Sequence, residues 1–363
     1  MKKIVIKIGS QVITQGKNLN IKNINNIIND IVNVKKEKYE IIIISSGAVS
    51  TGLQTFEKDF KIINNTSKKE TLKRKILASV GWPNLMQIYK NKFEEKNIKC
   101  AQILVNRSDF SNRNRYLSLR EVTQNLLNLN ILPIFNENDV LSAEEENFSD
   151  NDQLASMIAA MVVADLLIIL TDVNGVYNKD PEKKDAKLIN EIKNIEEIIE
   201  NINNKKSEFG RGGMKNKLIS AKLITSLGIP LLIANGFRKN ILEKIILKNK
   251  LLGTFFPASK KIVKPIKSWI KIASEQNGKI FVSTFLADIL RNKKTASILL
   301  TGIEKQEGNF KKGDVVQVYD LNNTLIGKGQ IKYSSVELDN FLKQEKKENK
   351  IIIHYDYFIF ENK

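Results

Sequence analysis

Ile131-Leu132-Pro133-Ile134-Phe135 runs directly into Asn136-Glu137-Asn138-Asp139, and Ser149-Asp150-Asn151-Asp152-Gln153 follows after one short connection. The first five residues read as a buried parallel strand, because a short continuous apolar run bounded by turn formers leaves no polar face for water. Pro133 counts mildly against a central position, since proline brings no N–H to a ladder. In open α/β sheets ligands bind beyond the carboxyl ends of the strands, which is where these acids and amides would lie. The same residue types also form turns and helix caps, so position alone leaves a solvated loop as the competing reading.

Working outward, strand and helix signals alternate through the first two thirds of the chain. Ile4 to Ile8, Ile41 to Ile44, Ile103 to Val105, Leu166 to Leu170 and Leu231 to Ala234 are further buried-strand runs. Between the first two, Ile21, Ile24, Ile27, Ile28, Ile31 and Val32 give one face of a helix. This alternation predicts a parallel sheet covered on both sides. After Gly253-Thr254 the character changes: a Lys-rich connection from Pro257 to Pro265 leads to short β-type runs at 279–282, 315–319, 325–329 and 351–353. These predict a small, mostly β C-terminal domain.

Composition narrows the chemistry. The 363 residues include one cysteine, Cys100, and one histidine, His354. An internal disulfide and a thiolate metal cluster are therefore excluded, and a His base or His-ligated metal has almost nothing to work with. No apolar run approaches the roughly 20 residues that span a bilayer. The start, Met1-Lys2-Lys3-Ile4-Val5-Ile6-Lys7, reads as a strand rather than a signal peptide, so the expectation is a cytoplasmic protein without a membrane partner. The formal charge of +18 comes from lysines scattered among Asn and Ile, and such a bias is weak support for nucleic-acid binding.

Three glycine-bearing loops follow strands or open helices: Lys7-Ile8-Gly9-Ser10, Ser45-Ser46-Gly47-Ala48, and Gly210-Arg211-Gly212-Gly213-Met214-Lys215-Asn216-Lys217. Glycine lets backbone N–H groups approach phosphate oxygens, and a helix N-terminus adds favourable partial charge. None has P-loop spacing. Each alone is also a plain tight turn, but three in one α/β domain, two with lysines, point to an anion site. Thr171-Asp172-Val173-Asn174-Gly175-Val176-Tyr177, with Asp180-Pro181 beyond, is placed to contact a nucleotide or simply to turn the chain.

In order along the chain, these motifs resemble those of the amino acid kinase family, and the asparagine-rich pair resembles its glutamate-phosphorylating branch. Gly308-Asn309-Phe310, Lys312-Gly313-Asp314, Ile326-Gly327-Lys328-Gly329 and Tyr333-Ser334-Ser335 look like a PUA domain. The resemblance covers nearly the whole chain. It implies an α/β fold with an open, mainly parallel sheet between helix layers, plus a small, mostly β PUA-like domain. The implied domains are 1–257 for ATP and glutamate binding, 258–275 as a linker and 276–363 as the PUA-like domain. By resemblance Lys7 and Lys217 contact ATP phosphates and the migrating phosphoryl group, with Asp152 orienting them. Thr171, Asp172, Arg211, Gly212, Gly213, Met214, Lys215, Asn216 and Lys217 would hold the nucleotide. Ser46, Asp139 and Asn151 would hold L-glutamate. Departures from the family pattern are Gln11, Trp82-Pro83 and Arg211. They bear on oligomer contacts and nucleotide preference.

The activity so implied is ATP-dependent phosphorylation of the glutamate side-chain carboxylate to L-glutamyl 5-phosphate, the first step of proline biosynthesis. Mg²⁺ would arrive with ATP, proline would act as feedback inhibitor, and the assembly would be a homo-oligomer. A carboxylate with a reference pKa near 4.3 is already ionised at neutral pH, so a nearly histidine-free chain can run this reaction without a general base. Competing readings are a relative acting on acetylglutamate, aspartate or a nucleoside monophosphate, or an RNA-binding or RNA-modifying PUA protein. The last leaves the glycine loops and their lysines without a purpose and lacks an evident aromatic stacking cluster.

Overall fold

A computed structural model describes the whole chain except residues 17, 57–69, 142–150, 180, 182, 205–212, 260–264, 273–277, 293–295, 345–347 and 362–363. The chain divides into two compact units, one of residues 1–106 and 120–262 and the other of 107–119 and 263–363. No helix among the described residues is long and apolar enough to cross a membrane.

The first unit is built on β1 (Lys3–Ile8), β4 (Glu40–Ser45), β5 (Cys100–Val105), β6 (Leu132–Glu137), β7 (Leu166–Thr171), β8 (Leu231–Asn235) and β9 (Thr254–Phe256); β2 (Thr14–Gln15) and β3 (Asn18–Leu19) form a separate two-stranded ribbon. The sheet order is β5-β6-β4-β1-β7-β8-β9. All neighbours are parallel except β8 and β9. From β1 the chain goes first to one side, to β4, β5 and β6, and then to the other, to β7 and β8. The order therefore reverses around β1, which is where such sheets open a crevice at their carboxyl ends.

Pro133 lies in an interior strand, between β5 and β4, against the expectation that it marks an edge. Leu132 N–H donates to Lys99 O on the β5 side. Strand alternation then turns the Pro133 nitrogen toward β4, whose pairing with β6 begins only at Ile134. The missing donor thus falls where there is no ladder bond to lose.

Alternation also decides what each face of β1 does. Ile4, Ile6 and Ile8 pack into a core with Ile24, Ile27, Ile28 and Ile31 of the helix Ile21–Lys36, and with Trp82, Leu85, Tyr89 and Phe93 of the helix Glu70–Glu94. Lys7 has the opposite orientation and faces the helix Asn151–Val162. That helix is buried on nearly all sides, Leu154 to Met161 being 3% exposed or less. A second helix, Gly213–Ser226, packs on it, with Ser156 Oγ donating to Ser220 O at 3.4 Å.

The second unit holds a five-stranded sheet. Its strands are β10 (Gly278–Val282), β12 (Ile303–Gly308), β13 (Val315–Tyr319), β14 (Leu325–Gln330) and β16 (Phe358–Phe360), in the order β12-β10-β13-β14-β16. β11 (Ile298–Leu299) and β15 (Ile351–Ile353) pair beside it. Helices Thr284–Arg291 and Ser335–Leu342 close its core over Ile280, Val316 and Val318. Ser334 and Glu337 form a reciprocal capping box on the latter helix. Residues 107–119 belong to this unit: fully buried Trp269, on the helix Pro265–Ile272, donates its indole N–H to Phe110 O at 2.9 Å. The Arg113 guanidinium lies 4.8 Å from the Trp269 ring centroid.

Candidate active site

The carboxyl ends of β1, β4, β6, β7 and β8 bring the polar loops of the first unit together. Lys7 is the fifth residue of β1 and is buried. Its Nζ lies 2.7 Å from Asp152 Oδ1, and Lys217 Nζ lies 3.0 Å from Asp152 Oδ2. Asp152 stands in the first turn of its helix and Lys217 in the first turns of Gly213–Ser226, so two packed helices and the central strand converge on one carboxylate. The Asp152 side chain is fully buried, while those of Lys7 and Lys217 are 5% and 11% exposed. Burial alone would push the Asp152 carboxyl up, but the ammonium groups of Lys7 and Lys217 outweigh it and hold it below the usual carboxylate range. Asp152 therefore stays ionised, and its two oxygens fix the direction of two cations.

One residue earlier, Asn151 organises a second cluster. Its Nδ2 donates to Ser46 Oγ at 2.8 Å and to Asn136 Oδ1 at 3.1 Å, with Ser45 O at 3.4 Å. The loop after β4, the end of β6 and the start of the helix Asn151–Val162 are thereby joined at one amide. Behind it, Ser45 Oγ and Tyr89 Oη share a buried hydrogen bond of 2.9 Å, and burial pushes the Tyr89 hydroxyl up to about 12. Gly47 turns the chain at φ 106°, a conformation that favours glycine, and leads into the helix Ala48–Thr55. Asp139 lies beyond the end of β6, half-buried, and burial pushes its carboxyl up against the pull of the Arg74 guanidinium.

A third cluster lies across β7 and β8. Thr171 Oγ1 donates to Asp172 Oδ1 at 3.0 Å. Asn235 Nδ2 donates to Asp172 O at 3.3 Å and to Asn174 Oδ1 at 3.2 Å, and Arg238 Nε donates to the same Asn174 oxygen at 3.1 Å. Gly213, Met214, Lys215 and Asn216 open the helix that carries Lys217; Arg211 and Gly212 lie outside the described residues.

The structure thus joins Lys7, Asp152 and Lys217 directly, joins Asn151 to Ser46, and joins Thr171 to Asp172, with Asp139 within electrostatic reach of Arg74. Sequence reasoning did not assign roles to Asn136, Asn174, Asn235 and Arg238. The Asn235-Gly236 pair directly after the β8 run is a turn signal that marks that strand end as another loop of the site. Trp82 is 5% exposed in the core with Leu85 and Tyr89, so this departure from the family pattern is a packing residue within the unit.

Chemically, this is a place where anions can be aligned. A doubly cationic pair held by one internal carboxylate offers net positive charge, and the neighbouring amides and hydroxyls supply directional hydrogen bonds. Both Asp152 oxygens are engaged by lysines. A divalent ion carried on the phosphates of a nucleotide fits this donor set, because Mg²⁺ keeps several waters and needs few protein ligands.

Comparison with known proteins agrees with this architecture. The amino acid kinase family matches residues 2–235 and the PUA domain matches residues 278–353. Among solved structures, carbamate kinase from Giardia lamblia bound to AMP-PNP superposes with a TM-score of 0.51 at 20% identity, covering 71% of this chain and 99% of its own. An isopentenyl phosphate kinase gives 0.50 at 19% identity, covering 70% and 99%. These two show the fold. The chain belongs to the amino acid kinase family, whose members use ATP to phosphorylate a small-molecule acceptor, and it carries a C-terminal PUA domain. Similar relatives along its length include glutamate 5-kinase of Dictyoglomus turgidum, 36% identical over 98% of this chain and 94% of that protein. Glutamate 5-kinase of Oceanobacillus iheyensis is 36% identical over 99% and 96%, and glutamate 5-kinase 1 of Bacillus licheniformis is 39% identical over 93% and 91%.

Proposed function

We propose that the chain transfers the γ-phosphoryl group of ATP to the side-chain carboxylate of L-glutamate, giving L-glutamyl 5-phosphate and ADP, the entry to proline biosynthesis. The observation that carries the proposal is the buried Asp152 carboxylate between Lys7 and Lys217, one residue from the Asn151–Ser46–Asn136 cluster. An acceptor held at that cluster would be adjacent to the two lysines. Relatives named glutamate 5-kinase, matched along nearly the whole chain, support the choice of acceptor.

In this reading a glutamate carboxylate oxygen forms a bond to the γ-phosphorus while the bond to the β,γ-bridging oxygen breaks, and ADP takes the electron pair. No proton has to move, since the nucleophile is ionised at neutral pH. The chain contributes alignment and charge neutralisation: Lys7 and Lys217 face the transferring group, and Asp152 holds both ammonium groups in place. Thr171, Asp172 and the start of Gly213–Ser226 hold the nucleotide. Ser46, Asn151 and Asp139 hold glutamate, Asp139 facing its ammonium group. Mg²⁺ bound to the nucleotide would neutralise phosphate charge.

A coupled ADP-release assay with glutamate, acetylglutamate and aspartate offered separately tests the acceptor. Turnover with glutamate supports the proposal. Turnover with another acceptor and none with glutamate overturns it. Proline added to the same assay tests feedback inhibition.

A further inference from the structure

One buried amide ties together loops that are far apart in sequence. Asn23, in the first turn of the helix Ile21–Lys36, is 5% exposed. Its Nδ2 donates to Val12 O at 2.8 Å and to Gly236 O at 3.2 Å. Val12 belongs to the segment that continues from Lys7 through Gly9, and Gly236 directly follows Asn235 at the end of β8. Both segments are also fixed to the end of β7, because Gly9 N–H donates to Leu170 O at 3.0 Å and Gly236 N–H donates to Thr171 O at 2.8 Å. They touch directly: a Cβ on Gly236 would lie 2.5 Å from Val12 Cγ1.

We propose that Asn23 is a positioning residue for the nucleotide, holding the glycine turn after β1 at a fixed distance from the loop that carries Asn235, so that the ATP cradle is formed before ATP arrives. The inference rests on nucleotide use and not on the identity of the acceptor. Both amide hydrogens of Asn23 are engaged by main-chain oxygens of the two segments. Removing them leaves buried acceptors unpaired and lets the segments separate. A binding surface that must first be ordered loses affinity by the ordering cost, so the effect falls on nucleotide affinity. The same helix provides an internal comparison: Asn33 Nδ2 donates to Glu243 Oε1 at 2.8 Å, holding the stretch after β8 without touching the β1 turn.

The test is calorimetric binding of ADP with Mg²⁺ to the full chain, with thermal melts of the same samples, for the unaltered protein, Asn23→Leu and Asn33→Leu. Asn23→Leu should weaken ADP about tenfold, the size expected for stranding a buried acceptor, and raise the KM for ATP by a similar factor. The acceptor KM should stay within about twofold, as should ADP affinity in Asn33→Leu. Unchanged ADP affinity in Asn23→Leu, or equal weakening in both variants, overturns the proposal. Should Asn23→Leu fail to fold, hydrogen exchange on the unaltered protein decides. Amides of residues 9–13 and 235–238 should be protected without nucleotide, and protection appearing only on adding ADP refutes a preformed cradle. An unaltered protein that bound no ADP at all would instead remove the nucleotide reading itself.

Discussion

Lys217→Ala is the most informative single substitution, because the ion pairs around Asp152 separate the proposed catalytic role of this residue from its contribution to stability. Its ammonium sits 3.0 Å from a fully buried carboxylate that Lys7 also engages at 2.7 Å. Deleting it leaves Asp152 still paired, so the fold should survive, and removes one of the two cations proposed to face the transferring group. At an effective dielectric constant of about 20, a unit charge about 4 Å away is worth about 4 kcal/mol. Loss of one preorganised donor to developing charge typically lowers turnover by roughly 10² to 10³, or about 3–4 kcal/mol, which agrees with that figure. Steady-state ADP release should therefore show kcat reduced by roughly that factor with KM for glutamate within about threefold. Lys7→Ala should behave alike. A Lys217→Ala enzyme with kcat within about fivefold of the original would refute the assignment, as would one whose defect lay wholly in KM for glutamate.

Asn151→Ala and Asp139→Ala should act on the acceptor, raising KM for glutamate by about tenfold or more with little change for ATP, because Asn151 joins Ser46 and Asn136 and not the nucleotide loops; parallel titrations of the two substrates check this. Asp30 accepts from Leu242 N–H at 2.9 Å, and burial pushes its carboxyl up to about 6. A folded pKa above the unfolded value near 3.9 means that stability falls as pH rises from about 4 to about 6 and stays lowered above it. Asp30→Asn keeps an acceptor for Leu242 and should melt higher than the unaltered protein at pH 8, with the gap closing toward pH 4. Asp152 has the opposite sign: its depressed carboxyl contributes stability above the unfolded pKa and loses it as pH falls through the folded one, so Asp152→Asn should flatten the acid limb of a melting profile. Trp269→Ala should lower stability by about 3–5 kcal/mol, the range for a buried aromatic, since Trp269 is fully buried and bonded to Phe110 O; chemical denaturation measures it.

The strands of the first unit were legible because parallel strands buried on both faces write themselves as continuous apolar runs, and β1, β4, β7 and β8 appear at the residues those runs mark. Pro133 misled because the proline rule concerns a ladder bond, and the sequence does not say that the β4 ladder starts one residue later. β9 was not legible, having three residues, and neither was β12, whose Ile303-Glu304-Lys305-Gln306-Glu307-Gly308 is mostly exposed and polar. In the candidate site, Lys7, Asp152 and Lys217 were found through motif resemblance, while their mutual contacts follow from the strand alternation and helix packing that only the fold supplies. Asn23 and Gly236 are 213 residues apart, and nothing local to Asn23 distinguishes it from the other asparagines of its helix.

The central claim is that the phosphoryl group goes to a side-chain carboxylate of glutamate, and trapping of the product tests it most directly. An acyl phosphate reacts with hydroxylamine to give a hydroxamate, whereas a phosphate ester, a phosphoanhydride or free phosphate does not. With ATP, Mg²⁺, L-glutamate and hydroxylamine, the account predicts glutamate γ-hydroxamate forming in step with ADP, and both signals falling together by roughly 10² to 10³ in Lys217→Ala. ADP release from glutamate mixtures without hydroxamate, or hydroxamate forming only when another carboxylic acid replaces glutamate, would contradict it.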